Sequence, residues 1–190
     1  GEVAFLTRNI LVKTEIQGVS ESTLITDPTT RKFAHTMFMM GSKGNIQYAE
    51  FKQMGNAGTL SRYTIHPHQM LESSKGMVIR GNSGWYTGFR CVNLHVTHGI
   101  LVEDNVCFNS LSTSFFVEED DTAGRNEDNV FVHNIGIASL SKASDDDAGE
   151  SLASDFWPGS STDHEAFLGN VAAGDGGNEY TQYGFHFPEA

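Results

Sequence analysis

Cysteine, proline and basic residues are all scarce in this chain, and each shortage narrows what it can be. Two cysteines in 190 residues make no disulfide framework. Cys91 and Cys107 lie 16 positions apart and read as two thiols buried in a core, where cysteine is commonly found. They do not decide the redox compartment. No stretch reaches the roughly 18 consecutive apolar residues of a membrane span, and no basic-plus-apolar leader opens the chain. There is no N-x-S/T glycosylation sequence. Only four prolines stand against 20 glycines, a balance that suits many tight bends between short strands. No run carries a strong 3.6-residue apolar period, which argues against a helical fold; the best helix candidate lies around 141–153.

The shortage of basic residues is uneven. Residues 1–99 carry ten Lys and Arg against six Asp and Glu, whereas residues 100–165 carry two against fifteen. A nucleic-acid partner wants a basic face, which a net charge of −12 does not supply. A polyanionic ligand should prefer the first half. The acidic clusters EEDD (118–121) and DDD (145–147) read as solvated loops. If any cation is bound there, loop carboxylates favour Ca2+, although no EF-hand spacing is present.

What the chain does have is repetition. MVIRGN (77–82), ILVEDN (100–105), VFVHN (130–134) and AFLGN (166–170) each run a short apolar strand into an asparagine. Asn82, Asn105, Asn134 and Asn170 are spaced by 23, 29 and 36 residues, a period that means stacked coils. An amide both donates and accepts, so asparagines stacked at one bend can satisfy each other and the turn backbone. Asparagine also tolerates a left-handed bend. Glu50 falls where an earlier coil should carry its asparagine. Strand-like runs alternate with turn signals from FLTRNILVKTEI (5–16) to YGFHF (183–187). The expected fold is all-β, a right-handed parallel β-helix spanning 1–190. Acidic loops are expected near 121–128 and 141–164. The opening residues already read as strand and neither end resembles a cap, so a segment of a longer protein is expected.

Candidate chemistry concentrates in SRYTIHPHQM (61–70). His66 and His68 alternate and so share a strand face, where they could bind a metal or shuttle a proton. Arg62 has the same parity and could hold a carboxylate in a bidentate pair. Pro67 implies an irregular or edge strand. His95 and His98, one coil on, should face opposite ways, one buried and one exposed. Stacking would bring one of them towards His66 or His68. His133 reads as structural, His164 as a loop residue, and His186 as part of an aromatic strand. Glu118 and Glu119 end an apolar strand. A glycosidase uses two carboxylates about 5–10 Å apart, a span that adjacent coils, about 4.8 Å apart, can supply.

The ordered series TRNI (7–10), GNIQYAEFKQMGNAG (44–58), RYTIHPH (62–68), THGILVEDNVCFN (97–109), FFVEED (115–120), DFWPG (155–159) and GNVAAGD (169–175) resembles the β-helix region of the G8-domain family. That family includes hyaluronan-binding and hyaluronidase proteins of the cell surface, and the fibrocystins. The resemblance implies a β-helix from a secreted or surface-anchored protein, with an anionic glycan such as hyaluronan, or neighbouring matrix and surface proteins, as partner. Two departures bear on activity. Thr64 and Pro67 replace a proline and an aromatic in a pattern near R-Y-P-I-H-F-H. Ser112, Thr113 and Ser114 stand where relatives carry Gly-His-Cys. Two functions follow: a glycan-acting module with His66, His68, Glu118 and Glu119 as catalytic candidates and Arg62, His95 and His98 as binding candidates, or a non-catalytic rod.

Overall fold

The computed structural model describes residues 3–27, 30–119, 122–140, 153–159, 165–174 and 183–186. Its elements begin with β1 (Ile10–Lys13), a one-and-a-half-turn helix α1 (Glu21–Thr26), β2 (Ile46–Gln47), β3 (Ala49–Lys52) and β4 (His68–Leu71). Three coils of three strands follow: β5 (Val78–Arg80), β6 (Ser83–Trp85) and β7 (Val92–Thr97); β8 (Leu101–Glu103), β9 (Val106–Phe108) and β10 (Phe115–Glu118); β11 (Val130–Val132), β12 (Ile135–Ile137) and β13 (Ser154–Trp157). A last coil comprises β14 (Ala166–Leu168), β15 (Val171–Ala173) and β16 (Tyr183–Phe185). Corresponding strands stack into three parallel sheets, ordered β1-β3-β6-β9-β12-β15, β16-β13-β10-β7-β4 and β14-β11-β8-β5-β2. This is a parallel β-helix, as the repetition implied. No helix among the described residues is long and apolar enough to cross a membrane. The weak helix candidate around 141–153 falls, Ala153 apart, outside the described residues, as do the DDD cluster and His164, whereas α1 was not anticipated.

The asparagines stack as their spacing required. Asn105 Oδ1 accepts from the backbone N–H of Asn82 at 2.9 Å and from its side-chain amide at 3.0 Å, while Asn105 Nδ2 donates to Ile79 O at 2.8 Å and to Asn134 Oδ1 at 3.0 Å. Asn134 and Asn170 repeat the pattern. In the earliest coil the matching N–H belongs to Ala49, which donates to Asn82 Oδ1 at 3.1 Å. Glu50 is therefore one residue out of place: it pairs in register with Ser83 and accepts from the Trp85 indole instead. The left-handed residue at this bend is also not the asparagine but the one before it: Tyr48, Gly81, Asp104, His133 and Gly169 all have φ between 52° and 64°. A second corner after the middle strand uses Gln53, Tyr86, Asn109, Ala138 and Gly174 in the same way. Two left-handed corners per coil redirect the chain, and the ladder fills the backbone valences that the first one exposes.

Inside, like residues stack on like. Phe115 and Phe156 lie with centroids 4.9 Å apart, the exposed Phe185 of the last coil continues the stack at 4.7 Å, and Phe131 stacks on Phe167 at 4.6 Å, in the near-parallel manner that aromatic rings favour. The two cysteines are not free thiols. Cys91, just before β7, is disulfide-bonded to Cys107 on β9 of the next coil, with Cα atoms 6.2 Å apart. Gly84 makes room for the bridge, since a Cβ there would sit 2.3 Å from the Cys91 sulfur. Arg31, also buried, donates to Leu24 O, Thr87 O, Asn109 O and Asn109 Oδ1, tying α1 to the second corner.

Replacing Asn105 by Ala strands the Asn82 donors and the Ile79 carbonyl, and should cost on the order of 3–4 kcal/mol in urea unfolding. Asn45→Ala, which removes one exposed cap on Val78 N–H, should cost less than about 1 kcal/mol. Equal losses for both would mean that the ladder carries no special share of stability. Replacing both cysteines by alanine should lower stability by about 3 kcal/mol, the loop-closure contribution expected for this separation.

Candidate functional site

Register, not proximity in sequence, assembles the polar cluster. In the sheet β16-β13-β10-β7-β4, His68 pairs with His95 and His95 with Glu118, so one column crosses three strands. Leu94, Phe115 and Val117 of the same strands point into the core, which turns Asn93, His95, Phe116 and Glu118 to the outer face. β4 is the edge strand and shifts register between His68 and Leu71, with Gln69 and Leu71 both at φ 47°. That irregular edge is what Pro67 implied.

His68 and His95 bring their Nδ1 atoms to 2.9 Å. His66, fully buried, lies with its ring centroid 4.9 Å from His68 and 6.3 Å from His95, nearly parallel to the latter. Its Nδ1 is 3.1 Å from Ser61 O, so Nδ1 is the protonated nitrogen and donates to that carbonyl. Nε2 then carries the lone pair, and among the described residues it has no hydrogen-bond partner. Burial first, and the neighbouring His68 second, push the His66 pKa down to about 2, which leaves the ring neutral. One ring nitrogen from each of the three histidines lies within 4.8 Å of the others.

Beside them, Glu118 Oε2 accepts from Arg90 Nη1 at 2.9 Å and from Asn93 Nδ2 at 2.9 Å, and stands 3.9 Å from His95 Nδ1. Arg90 is buried, with its guanidinium 3.5 Å from the Phe116 ring centroid and 4.7 Å from that of Tyr63. Glu118, expected in a solvated acidic loop, is instead half of a largely buried ion pair. Its neighbour Glu119 takes another path, raising the pKa of Glu165 and approaching Gly159, because successive strand residues face opposite sides.

The other expected site residues disperse. Arg62 is exposed, with Nη1 3.3 Å from His35 Nε2. The cation that reaches the histidine column is Arg90, which the sequence reading passed over; its place in FRCVN, directly before an interior cysteine, was the available signal. His98 sits apart with Glu72, at 2.8 Å, and Glu127, at 3.9 Å, an acidic surface cluster in which Lys75 already pairs with Glu72. His95 and His98 do face different neighbours, but both are buried rather than one exposed. The 3-10 turn Glu72–Ser74 covers His98, whose backbone N–H donates to Ser74 Oγ at 2.8 Å. Within the acidic loop expected at 121–128, the described residues 122–128 are not a free loop: Asn126 is fully buried and donates to Glu118 O at 2.7 Å. His133 is largely exposed near Asp104, and His186 packs against Trp157.

Two further carboxyls escaped the sequence reading. Burial raises Asp155 to about 6 and Glu165 to about 8. Asp155 accepts from Ser139 Oγ at 2.7 Å, beside a cavity of about 270 Å³ that Ser139, Ala172 and Tyr183 help to line.

The fold and its outward histidine–carboxylate column define a parallel β-helix with a polar site on one sheet face. A family model described as CEMIP beta-helix matches residues 32–189, and the chain belongs to that family. It is 30% identical over 149 residues to the human protein named cell surface hyaluronidase CEMIP2. It is 31% identical over 153 residues to the mouse cell migration-inducing and hyaluronan-binding protein. Each match covers 72% of this chain and 10% of the relative. Human fibrocystin-L is 31% identical over 94 residues, half of this chain and 2% of that protein. The chain thus spans about a tenth of the first two relatives' length.

Because Asp155 is harder to ionise when folded, its contribution to stability is complete below about pH 4 and lost as pH rises through about 6. Asp155→Asn keeps an acceptor for Ser139 without that charge. It should gain on the order of 2–3 kcal/mol over wild type at pH 7, the gain vanishing near pH 4. Chemical denaturation at the two pH values measures the difference, and a gain independent of pH would refute the assignment.

Proposed function

We propose that the chain is a glycan-recognising β-helix module of an extracellular or cell-surface protein, acting on an anionic polysaccharide of the hyaluronan kind. The observation that carries this reading is the single register column of His68, His95 and Glu118 across three adjacent strands. Two imidazoles 2.9 Å apart and a carboxylate are groups able to transfer protons at a glycosidic bond, in place of the usual carboxylate pair. The flanking edge supplies cations for a sugar carboxylate. Arg62 is exposed at one end. Beside β4, a cleft of about 300 Å³ is lined by Phe38, Lys43, Asn45, Met70, Ser73 and Lys75, a mixture of apolar floor, amide, hydroxyl and ammonium that suits a sugar ring. The names of the human and mouse relatives support the ligand class and the surface location.

A second reading, a non-catalytic rod, draws on the match to fibrocystin-L. It also draws on the way Arg90, Asn93 and Glu118 already satisfy one another, as a purely structural network would.

Two readouts on the full-length protein separate these readings: retention on immobilised hyaluronan, and the length of sized hyaluronan after incubation. Saturable retention that falls at least about tenfold in the Arg62→Ala, Lys43→Ala double variant, a loss of about 1.4 kcal/mol, is the result expected of recognition. Shortening that disappears in Glu118→Gln and His68→Gln while retention persists would place proton transfer in the column. Retention without shortening removes catalysis and keeps recognition. Neither retention nor shortening leaves the rod.

A further inference from the structure

We propose that His66, His68 and His95 form a binding site for one borderline divalent transition metal, Zn2+ in the first instance. The inference does not depend on glycan recognition; it concerns what the histidines themselves can hold.

Three features of the cluster converge on a metal. The first is distance. Zinc–imidazole bonds of about 2.0–2.1 Å place tetrahedral ligand nitrogens about 3.3 Å apart. The His68 and His95 Nδ1 atoms stand at 2.9 Å, and all three rings offer a nitrogen within a 4.8 Å circle. Drawing the His66 ring inward and the other two slightly apart would bring the three donors to coordination geometry. The second is the orphan acceptor. His66 donates Nδ1–H to Ser61 O, the carbonyl partnership that orients metal-ligating histidines and leaves the other nitrogen basic. Its Nε2 is buried with no partner among the described residues, and a bound cation would remove the cost of that unsatisfied acceptor. The third is rigidity. His68 and His95 are register partners on neighbouring strands, and His66 is wedged at a ring-centroid distance of 4.6 Å from Tyr63, so the donors are held before any ion arrives.

The donor set also selects the metal. Three imidazole nitrogens suit Zn2+, Cu2+ or Ni2+, whereas Ca2+ and Mg2+ want oxygen. The nearest carboxylate, Glu118, is already paired with Arg90 at 2.9 Å, so little net negative charge is left to attract a hard cation. The site should bind through nitrogen lone pairs and discriminate against Ca2+, which the acidic loops alone had pointed to. Three protein ligands leave a fourth position for water, the arrangement of zinc sites that do chemistry rather than staple a fold.

The test uses full-length protein stripped with a chelator and then titrated with ZnCl2, CoCl2 or CaCl2. Isothermal titration should show one Zn2+ per chain at this site, a raised thermal midpoint, and no matching response to CaCl2. Co2+ should give the visible absorption of a four-coordinate nitrogen-rich site. His68→Gln and His95→Gln should each weaken Zn2+ by more than about 100-fold, beyond the effect of losing an outer partner. His98→Gln should leave affinity unchanged. Far-UV circular dichroism establishes that the variants fold, and the His68 and His95 variants keep the test decisive if His66→Ala does not fold. No Zn2+ binding to wild type, or binding that survives in folded His68→Gln and His95→Gln, would overturn the proposal.

Discussion

The asparagine amide at the first corner is the contact on which the rest of the helix depends. A parallel coil must end each strand, turn, and begin the next without leaving backbone groups bare in the interior. One amide answers this in both directions: Asn105 accepts from the coil before it and donates to the coil after it. Because each amide binds the next at about 3.0 Å, a slip of one residue in any coil would break two rungs and also turn a strand's interior set outward. The ladder is therefore a register device as well as a source of hydrogen bonds.

Register is what creates the site. His68, His95 and Glu118 are separated by 27 and 23 residues, and none of them could meet another by local folding. Stacking of the coils aligns them on one outer face, while their neighbours Leu94, Phe115 and Val117 fill the interior. The face is not open surface. Tyr63, His66 and Arg90 are buried over it, so the polar groups interact at reduced dielectric. That is why Arg90 needs Glu118 at 2.9 Å and two aromatic rings around it, and why His66 stays neutral.

Comparison of chain and fold shows where legibility stops. The ladder could be read because asparagine recurs at the end of a similar apolar run four times. Glu50 misled by one position because its coil has no asparagine to anchor the alignment, and Ala49 supplies only the backbone N–H. The disulfide was hidden because its sulfurs meet across the interior from successive coils, with Gly84 giving up its side-chain volume. Pro67 announced the irregular edge correctly, since its ring restricts the ladder in any context. Arg62 looked better placed than Arg90 only because it lies nearer in sequence to the histidines.

From the sequence alone came the fold class, the family, the coil register from Asn82 to Asn170, and the histidine strand as the place to look. These rest on local rules, strand alternation and a repeated corner residue, that survive without knowing the neighbours. Tertiary structure alone decided which groups meet. It joined His95 to His68 and sent His98 to Glu72, sent Glu118 to Arg90 and Glu119 towards Glu165, and joined Cys91 to Cys107. Those choices depend on loop lengths and on what covers each outer face, and burial of that kind is a property of the stacked coils rather than of any one of them.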